Sequence, residues 1–263
     1  MKKNIAVAVV AAVVILGGIT AYFLFKPAPP PPPPVQVQAP PPPKPEVRQV
    51  IEAPPASPPL PALGESDSFM LDALAGLVGN KSLMGIFRTE RIIRNIVATI
   101  DNLPRRRAPM SVMPVERAPG QFLAAGKEEE STISPKNAAR YTPYVKIAEV
   151  INAKKTVELY VRLYPLFQAA YEELGYPGKY FNDRLLVVLD DLLDVPDAKE
   201  PVKLTRPNVY YQFADPDLEA RSIGQRILMR IGSKNEAILK GKLHEIREEL
   251  KLHMREIKVE SGK

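Results

Sequence analysis

The chain has 263 residues, contains no cysteine and carries a formal net charge of +6. The missing cysteines exclude disulfides, a thiol nucleophile and a cysteine-ligated metal. Five of the 36 basic and two of the 30 acidic residues precede Leu63, which leaves 31 and 28 from that point on. Because this part of the chain is so nearly balanced in charge, we do not expect it to bind nucleic acid.

The first predicted element is an uncharged apolar run over residues 5–25. As a helix, this run spans about 31 Å, which matches the hydrocarbon core of a bilayer. A secretory signal peptide and a buried core helix are the alternatives. A signal peptide usually has a shorter apolar region and a small-residue cleavage site, whereas Lys26 and Pro27 follow here. We therefore predict that residues 1–26 form a short cytoplasmic stub and a single-pass anchor, with the bilayer as partner.

The charges flanking this run predict its orientation. Lys2 and Lys3 precede the run, and Lys26 follows it. This small excess on the amino-terminal side favours a cytoplasmic N-terminus, with the rest of the chain in the periplasm beyond the inner membrane. The reverse topology stays open.

Residues 27–62 are predicted to be a tether, because they hold 17 of the 29 prolines. Proline fixes φ and removes a backbone donor, so we expect neither helix nor sheet there. In the polyproline II form, 36 residues reach about 110 Å at most. The tether is interpreted as a passive spacer, with a PxxP ligand and a ruler across a compartment as alternatives.

Residues 63–255 are predicted to form a mainly α domain of about seven helices with one or two minor β-hairpins, before a disordered tail at 256–263. The clearest helix carries an apolar stripe at Ile93, Val97 and Ile100. An earlier helix is expected to be capped by Asp67 or Ser68.

Several later helices are predicted from their first residues. A cap followed by proline occurs at Thr142–Pro143 and at Asp215–Pro216, and Ser233 with Glu236 fits a capping box for the last helix. Pro165 is expected to kink or break a helix that ends near Gly175.

The remaining predicted elements are one helix and two hairpins. The helix covers residues 180–193. The hairpins pair residues 122–124 with 131–133, and the two ends of the segment 202–213.

Four stretches of the domain resemble a known bacterial family. They read FRTERIIRNIVATIDNLPR (87–105), LYVRLYPLFQAAYEELGYP (159–177), FNDRLLVVLDDLL (181–193) and YQFADPDLEARSIGQRILMRIG (211–232). They are similar to the family catalogued as domain of unknown function 3014. The resemblance implies a membrane-anchored envelope protein of Gram-negative-type bacteria, and it implies no activity and no site residues.

The most distinctive chemical feature is a group of arginines. Between Lys81 and Arg117 there are eight basic and three acidic residues. Guanidinium groups bind carboxylates and phosphates through paired hydrogen bonds. The candidate ligand-binding residues are Arg88, Arg91, Arg94 and Arg105. The alternative is a solvated face with ion pairs to Glu90 and Asp101.

Other polar residues give weaker signals. Asp190, Asp191 and Asp194 end an apolar helix, and Asp190 and Asp194 could face one substrate together. A polar helix end is the preferred interpretation. His244 lacks a second ligand at helical spacing, so no metal and no cofactor are predicted. Tyr210 and Tyr211 cannot both point inward from one strand, so one is expected to be exposed.

The sequence leaves two function classes open. The preferred one is a non-enzymatic, tethered binding or scaffold module of the cell envelope, with a periplasmic protein or cell-wall partner. The alternative is an envelope hydrolase whose acid–base pair the sequence does not identify, because no common catalytic motif is present.

Overall fold

The computed structural model describes residues 47–51, 59–127, 130–198 and 200–258. The predicted anchor at residues 5–25 lies outside these ranges. Within them, no helix has the length and apolar content that crossing a membrane requires.

The described residues form a mainly helical domain, as predicted. In chain order the helices are α1 (Asp67–Val78), α2 (Lys81–Met84), α3 (Ile92–Asn102), α4 (Asn137–Val150), α5 (Ala153–Glu173), α6 (Phe181–Leu193), α7 (Pro216–Glu219), α8 (Ile223–Arg230) and α9 (Ser233–Leu252). Seven of these have eight residues or more, which confirms the predicted number.

The strands are short. They are β1 (Val47–Ile51), β2 (Ala124–Ala125), β3 (Thr132–Ile133), β4 (Leu204–Thr205), β5 (Gln212–Phe213) and β6 (Met254–Lys258). The pairs β2–β3 and β4–β5 are antiparallel, which confirms both predicted hairpins. A bridge between Thr132 and Lys203 joins them, and Leu204 N donates to Ser131 O at 2.7 Å.

The apolar stripes of the helices form the core. One cluster joins α1, α3, α5 and α6, and its fully buried members include Ile92, Leu163 and Phe181. A second cluster packs the small strands against α6 and α8 around Phe213 and Met229. α9 contacts both α5 and α6 through Leu250. Burial of this apolar surface provides most of the driving force for folding.

One strand lies where the sequence predicts none. β1 falls inside the predicted tether and pairs antiparallel with β6, which covers the first residues of the predicted tail. The sequence explains this, because residues 46–53 contain no proline and Val47, Val50 and Ile51 favour a strand. The tether prediction was therefore wrong over residues 47–51.

Three predicted helix starts were also wrong. α4 begins at Asn137 rather than at Thr142, because the buried Asn137 amide bonds to Leu123 and Ser134 and fixes the first turn. Asp67 does not cap its own helix; its carboxylate binds the backbone of α3. α9 has no capping box, because its N-cap is Gly232 at φ 93°.

Prolines and polar caps explain two further differences. α5 passes through Pro165 without a break, because Leu163, Leu166 and Phe167 around it are buried in the core. The segment after Pro216 splits into α7 and α8, since Ser222 Oγ accepts from Gln225 N at 3.1 Å and starts a new helix.

Candidate functional site

Two of the four predicted arginines line the same cavity, which we call the arginine pocket. Its volume is about 380 Å³. It is lined by Phe87, Arg88, Thr89, Glu90, Arg91, Asn95, Ser111 and Glu116. This lining is mostly polar, and the volume lies in the range of small-ligand sites.

Backbone pairing builds one wall of the pocket. Phe87 and Val115 form an isolated antiparallel bridge. On either side of the bridge, Arg88 N donates to Pro114 O at 2.9 Å and Glu116 N donates to Ile86 O at 2.7 Å. This pairing brings Arg88 and Glu116, which are far apart in sequence, to the same opening.

Arg88 is only loosely held within the pocket. Its Nε lies 3.4 Å from Glu116 Oε1, and its Nη1 lies 3.4 Å from Ser111 O. Both distances exceed the usual length of a charge-assisted hydrogen bond. The Glu116 side chain is 58 % exposed, so water screens this pair. The Arg88 guanidinium can therefore exchange these contacts for a ligand.

Arg91 has an unusual backbone. It is the N-cap of α3 at φ 49° and ψ 38°, the left-handed region that non-glycine residues rarely occupy. The Asp67 carboxylate stabilises this conformation by accepting from Arg91 N at 2.7 Å and from Ile92 N at 2.9 Å. Across the ranges that the structure describes, the Arg91 guanidinium has no hydrogen-bond or ion-pair partner, so it is available to a ligand.

Arg94 lies outside the pocket. Its Nε and Nη2 donate to the two carboxylate oxygens of Glu173 at 2.7 and 3.2 Å. The hydrogen bond to Glu173 raises the pKa of Arg94, and the same bond lowers the pKa of Glu173. This bidentate pair ties the start of α3 to the end of α5.

Arg105 belongs to a group around a buried carboxylate, the Asp101 cluster, formed by Asp101, Arg105, Tyr176 and Arg184. The Asp101 side chain is 4 % exposed and accepts from Arg105 Nη2 at 2.5 Å and from Arg184 Nε at 2.9 Å. Tyr176 Oη donates to Asp101 at 3.3 Å. The attraction of Asp101 raises the pKa of Arg105.

The sequence indicated only part of this cluster. The ion pair of Arg105 with Asp101 was the alternative interpretation of the arginine group, and it is present. Among the described residues, the ion pair expected with Glu90 is absent; the backbone oxygen of Glu90 accepts from Asn95 Nδ2 at 3.0 Å. Arg184 was missed because it lies on α6, 83 residues from Asp101. Its only signal in the sequence was that it is the one basic residue of α6.

The aspartates at the end of α6 point to separate partners. Asp190 accepts from Arg247 Nε at 2.6 Å, and Asp191 accepts from Ser222 Oγ at 2.7 Å. Asp194 lies 3.6 Å from Arg221 Nη1. These contacts fit the preferred interpretation, a polar helix end, in which the carboxylates hold α6 against α8 and α9.

The remaining signals concern metals and tyrosines. Among the residues with described positions, no group of three or more His, Asp or Glu side chains could hold a metal ion. Tyr210 is 80 % exposed at the tip of the β4–β5 hairpin. Tyr211 packs on Phe122, with ring centroids 5.9 Å apart. One tyrosine of the pair is exposed, as predicted.

The fold and site together define a mainly helical domain with an open, arginine-lined polar pocket. A family model described as a protein of unknown function (DUF3014) matches residues 92–247, and the chain belongs to that family. The matched residues include Arg94, Arg105 and the Asp101 cluster, whereas Arg88 and Arg91 lie just before them. Comparison with the curated proteins and with the solved structures gives no match.

Proposed function

We propose that this chain is a membrane-anchored binding module of the cell envelope, and that its arginine pocket holds an anionic group of a cell-wall or protein partner. The observation that carries the proposal is the pairing of Arg88 and Arg91 in one open pocket. Arg91 is unpaired within the described structure, and Arg88 is held only at 3.4 Å. Such guanidinium groups suit carboxylate or phosphate binding.

The sequence before the domain supports a target away from the bilayer. A long, proline-rich link lowers the effective concentration of the domain at its own membrane, whereas it helps the domain to reach a distant partner. Since β1 occupies residues 47–51, the tether that remains runs from residue 27 to 46. Its proline content favours an extended form with a reach of about 60 Å.

The proposal also includes the topology, with the N-terminus in the cytoplasm and the domain in the periplasm. It is supported by the charges of Lys2 and Lys3. Reporter fusions after Lys263 test it. A phosphatase that folds only outside the cytoplasm should be active, and a reporter that works only in the cytoplasm should be silent; the opposite pattern would reverse the topology.

Binding is tested with the full-length chain in detergent and purified cell-wall sacculi. We expect Arg88→Gln combined with Arg91→Gly to lower the retained protein about tenfold, because each lost charge-assisted bond weakens binding. Arg94→Ala is the matched control, since its partner is Glu173. Competition by glycerol phosphate distinguishes a phosphate ligand from the carboxylates of wall peptides. Wild-type retention by the double variant would refute the site.

The length of the tether is tested in cells. Deletion of residues 29–43 should reduce capture of a wall or outer-membrane partner by crosslinking, while replacement of the anchor by an unrelated one should not. If the shortened chain captures the same partner equally well, the tether is a passive spacer.

A further inference from the structure

A second cavity lies between the small strands and α8, and it shares no residue with the arginine pocket. Its volume is about 460 Å³. Ile133, Pro201, Val202 and Met229 contribute apolar walls, and Arg230 lines the same space. A cavity with apolar walls and a few polar groups is the usual form of a small-ligand site.

Arg230 is part of a buried group with unequal charges. Arg226 Nη1 lies 2.5 Å from Glu219 Oε1, and Arg230 Nη2 lies 3.8 Å from Glu219 Oε2. The side chains of Arg226 and Arg230 are 12 % and 20 % exposed. Two largely buried guanidinium groups therefore share one carboxylate, which leaves one positive charge without a counter-charge in this group.

Glu219 forms a hydrogen bond with Arg226 but not with Arg230, whose Nη2 lies 3.8 Å away. Its Oε2 already accepts from Phe213 N at 2.9 Å, and its Oε1 is closest to Arg226. Arg230 is left with Tyr211 O at 3.3 Å and with the ring of Phe213, whose centroid is 4.5 Å from Cζ. Burial lowers the pKa of Arg230; the attraction of Glu219 opposes this shift, and the repulsion of Arg226 adds to it.

The other polar groups that line the cavity are an amide, two hydroxyl groups and a carboxylate. Asn137 is fully occupied, because its amide bonds to both Leu123 N and Leu123 O and to Ser134 O. Thr132 and Ser134 add hydroxyl groups to the lining. Glu200 lines it as well, and in the described part of the chain the ion pair of Arg230 is with Glu219 rather than with Glu200.

We infer that this cavity binds a small apolar carboxylate, whose negative group pairs with Arg230 and whose apolar body contacts Ile133, Pro201, Val202 and Met229. A buried positive charge beside an open space gains most from an anion that also displaces water from apolar walls. A short fatty acid and the carboxyl end of a peptide share this chemistry.

The test uses the full-length chain and two probe pairs that differ only in charge. These are hexanoate with hexanamide, and N-acetyl-leucine with N-acetyl-leucinamide. Binding is followed by amide chemical shifts of Ile133, Val202 and Gly232. We expect at least one acid to bind about tenfold more tightly than its amide, because the charge-assisted bond is lost in the amide. The pair that shows this preference identifies the fatty-acid or peptide source.

Three variants locate the site. Arg230→Gln should remove the preference for the acid, and Arg221→Gln, a surface arginine outside the cavity, should leave it unchanged. Thr132→Phe should block binding while Arg230 stays intact, which covers the case in which Arg230→Gln fails to fold. Equal affinity for acid and amide, binding of neither acid, or an unchanged preference in folded Arg230→Gln would each overturn the inference.

Discussion

The arginine pocket and the Asp101 cluster each contain arginines from the stretch between Lys81 and Arg117, yet they use arginine in opposite ways. In the cluster, a carboxylate that is 4 % exposed binds Arg105 and Arg184 at 2.5 and 2.9 Å. In the pocket, the Arg91 guanidinium has no partner among the described residues, and the Arg91 backbone is in the left-handed region at φ 49°. Whether an arginine meets a buried carboxylate therefore separates a structural residue from a candidate binding residue.

Loss of the shared carboxylate should have the largest effect. Asp101→Ala leaves Arg184, whose side chain is 24 % exposed, and Arg105, which is 49 % exposed, without their shared counter-charge, so we expect the free energy of unfolding to fall by about 2–3 kcal/mol. Chemical denaturation measures this value. Asp190→Ala is the matched control, because Asp190 pairs with Arg247 at a side chain that is 56 % exposed. Similar losses for the two variants would mean that burial does not distinguish the two kinds of ion pair.

The second-largest effect is expected at Asp67, whose carboxylate binds the backbone at the start of α3. Asp67→Ala removes the acceptor for the backbone N–H groups of Arg91 and Ile92, and a lost cap costs about 1–2 kcal/mol. Asp72→Ala, at an exposed acid on the same helix, should change stability by less than about 0.5 kcal/mol. A stability of Asp67→Ala equal to that of this control would show that Asp67 does not stabilise the start of α3.

Replacement of Arg91 by glycine should stabilise the fold, whereas the two preceding changes should destabilise it. Arg91→Gly removes the side chain that disfavours φ 49°, so the folded state should become about 1 kcal/mol more stable. Thermal unfolding measures the shift. If Arg91→Gly is clearly less stable than the wild type, the Arg91 side chain makes a structural contact, and the contrast with the Asp101 cluster fails.

The smallest effect is expected for the exposed pair of Arg94 and Glu173. A double-mutant cycle with Arg94→Ala and Glu173→Ala should give a coupling of about 0.2–1 kcal/mol at pH 7. Because Arg94 lowers the pKa of Glu173 below its ordinary 4.5, this coupling is present above pH 4.5 and is lost as the pH falls through the lowered pKa. A coupling that does not change with pH would exclude the ion pair as its source.

Local patterns predicted the helices well and their contacts less well. The stripe at Ile93 and Val97 depends only on helical periodicity, and both residues are buried. The start of α4 and the role of Asp67 were predicted wrongly, because the partners of Asn137 and Asp67, which are Leu123 and the α3 backbone, are distant in sequence.

The same limit applies to the site. Clustering identified the arginines, and the four-residue spacing of Asp101 and Arg105 suits their pair. The partner of Arg94 does not follow from spacing, because Glu173 lies 79 residues further along the chain. The strand at residues 47–51 was missed because the proline content of its neighbours dominated the prediction.

The central claim is that Arg91 is held in a strained conformation for binding rather than for stability. The most direct test measures both properties in one variant. Full-length Arg91→Gly should be at least as stable as the wild type and should lose most of its retention on cell-wall sacculi, while Arg94→Ala should retain the wild-type level. Undiminished retention by a folded Arg91→Gly would contradict the account.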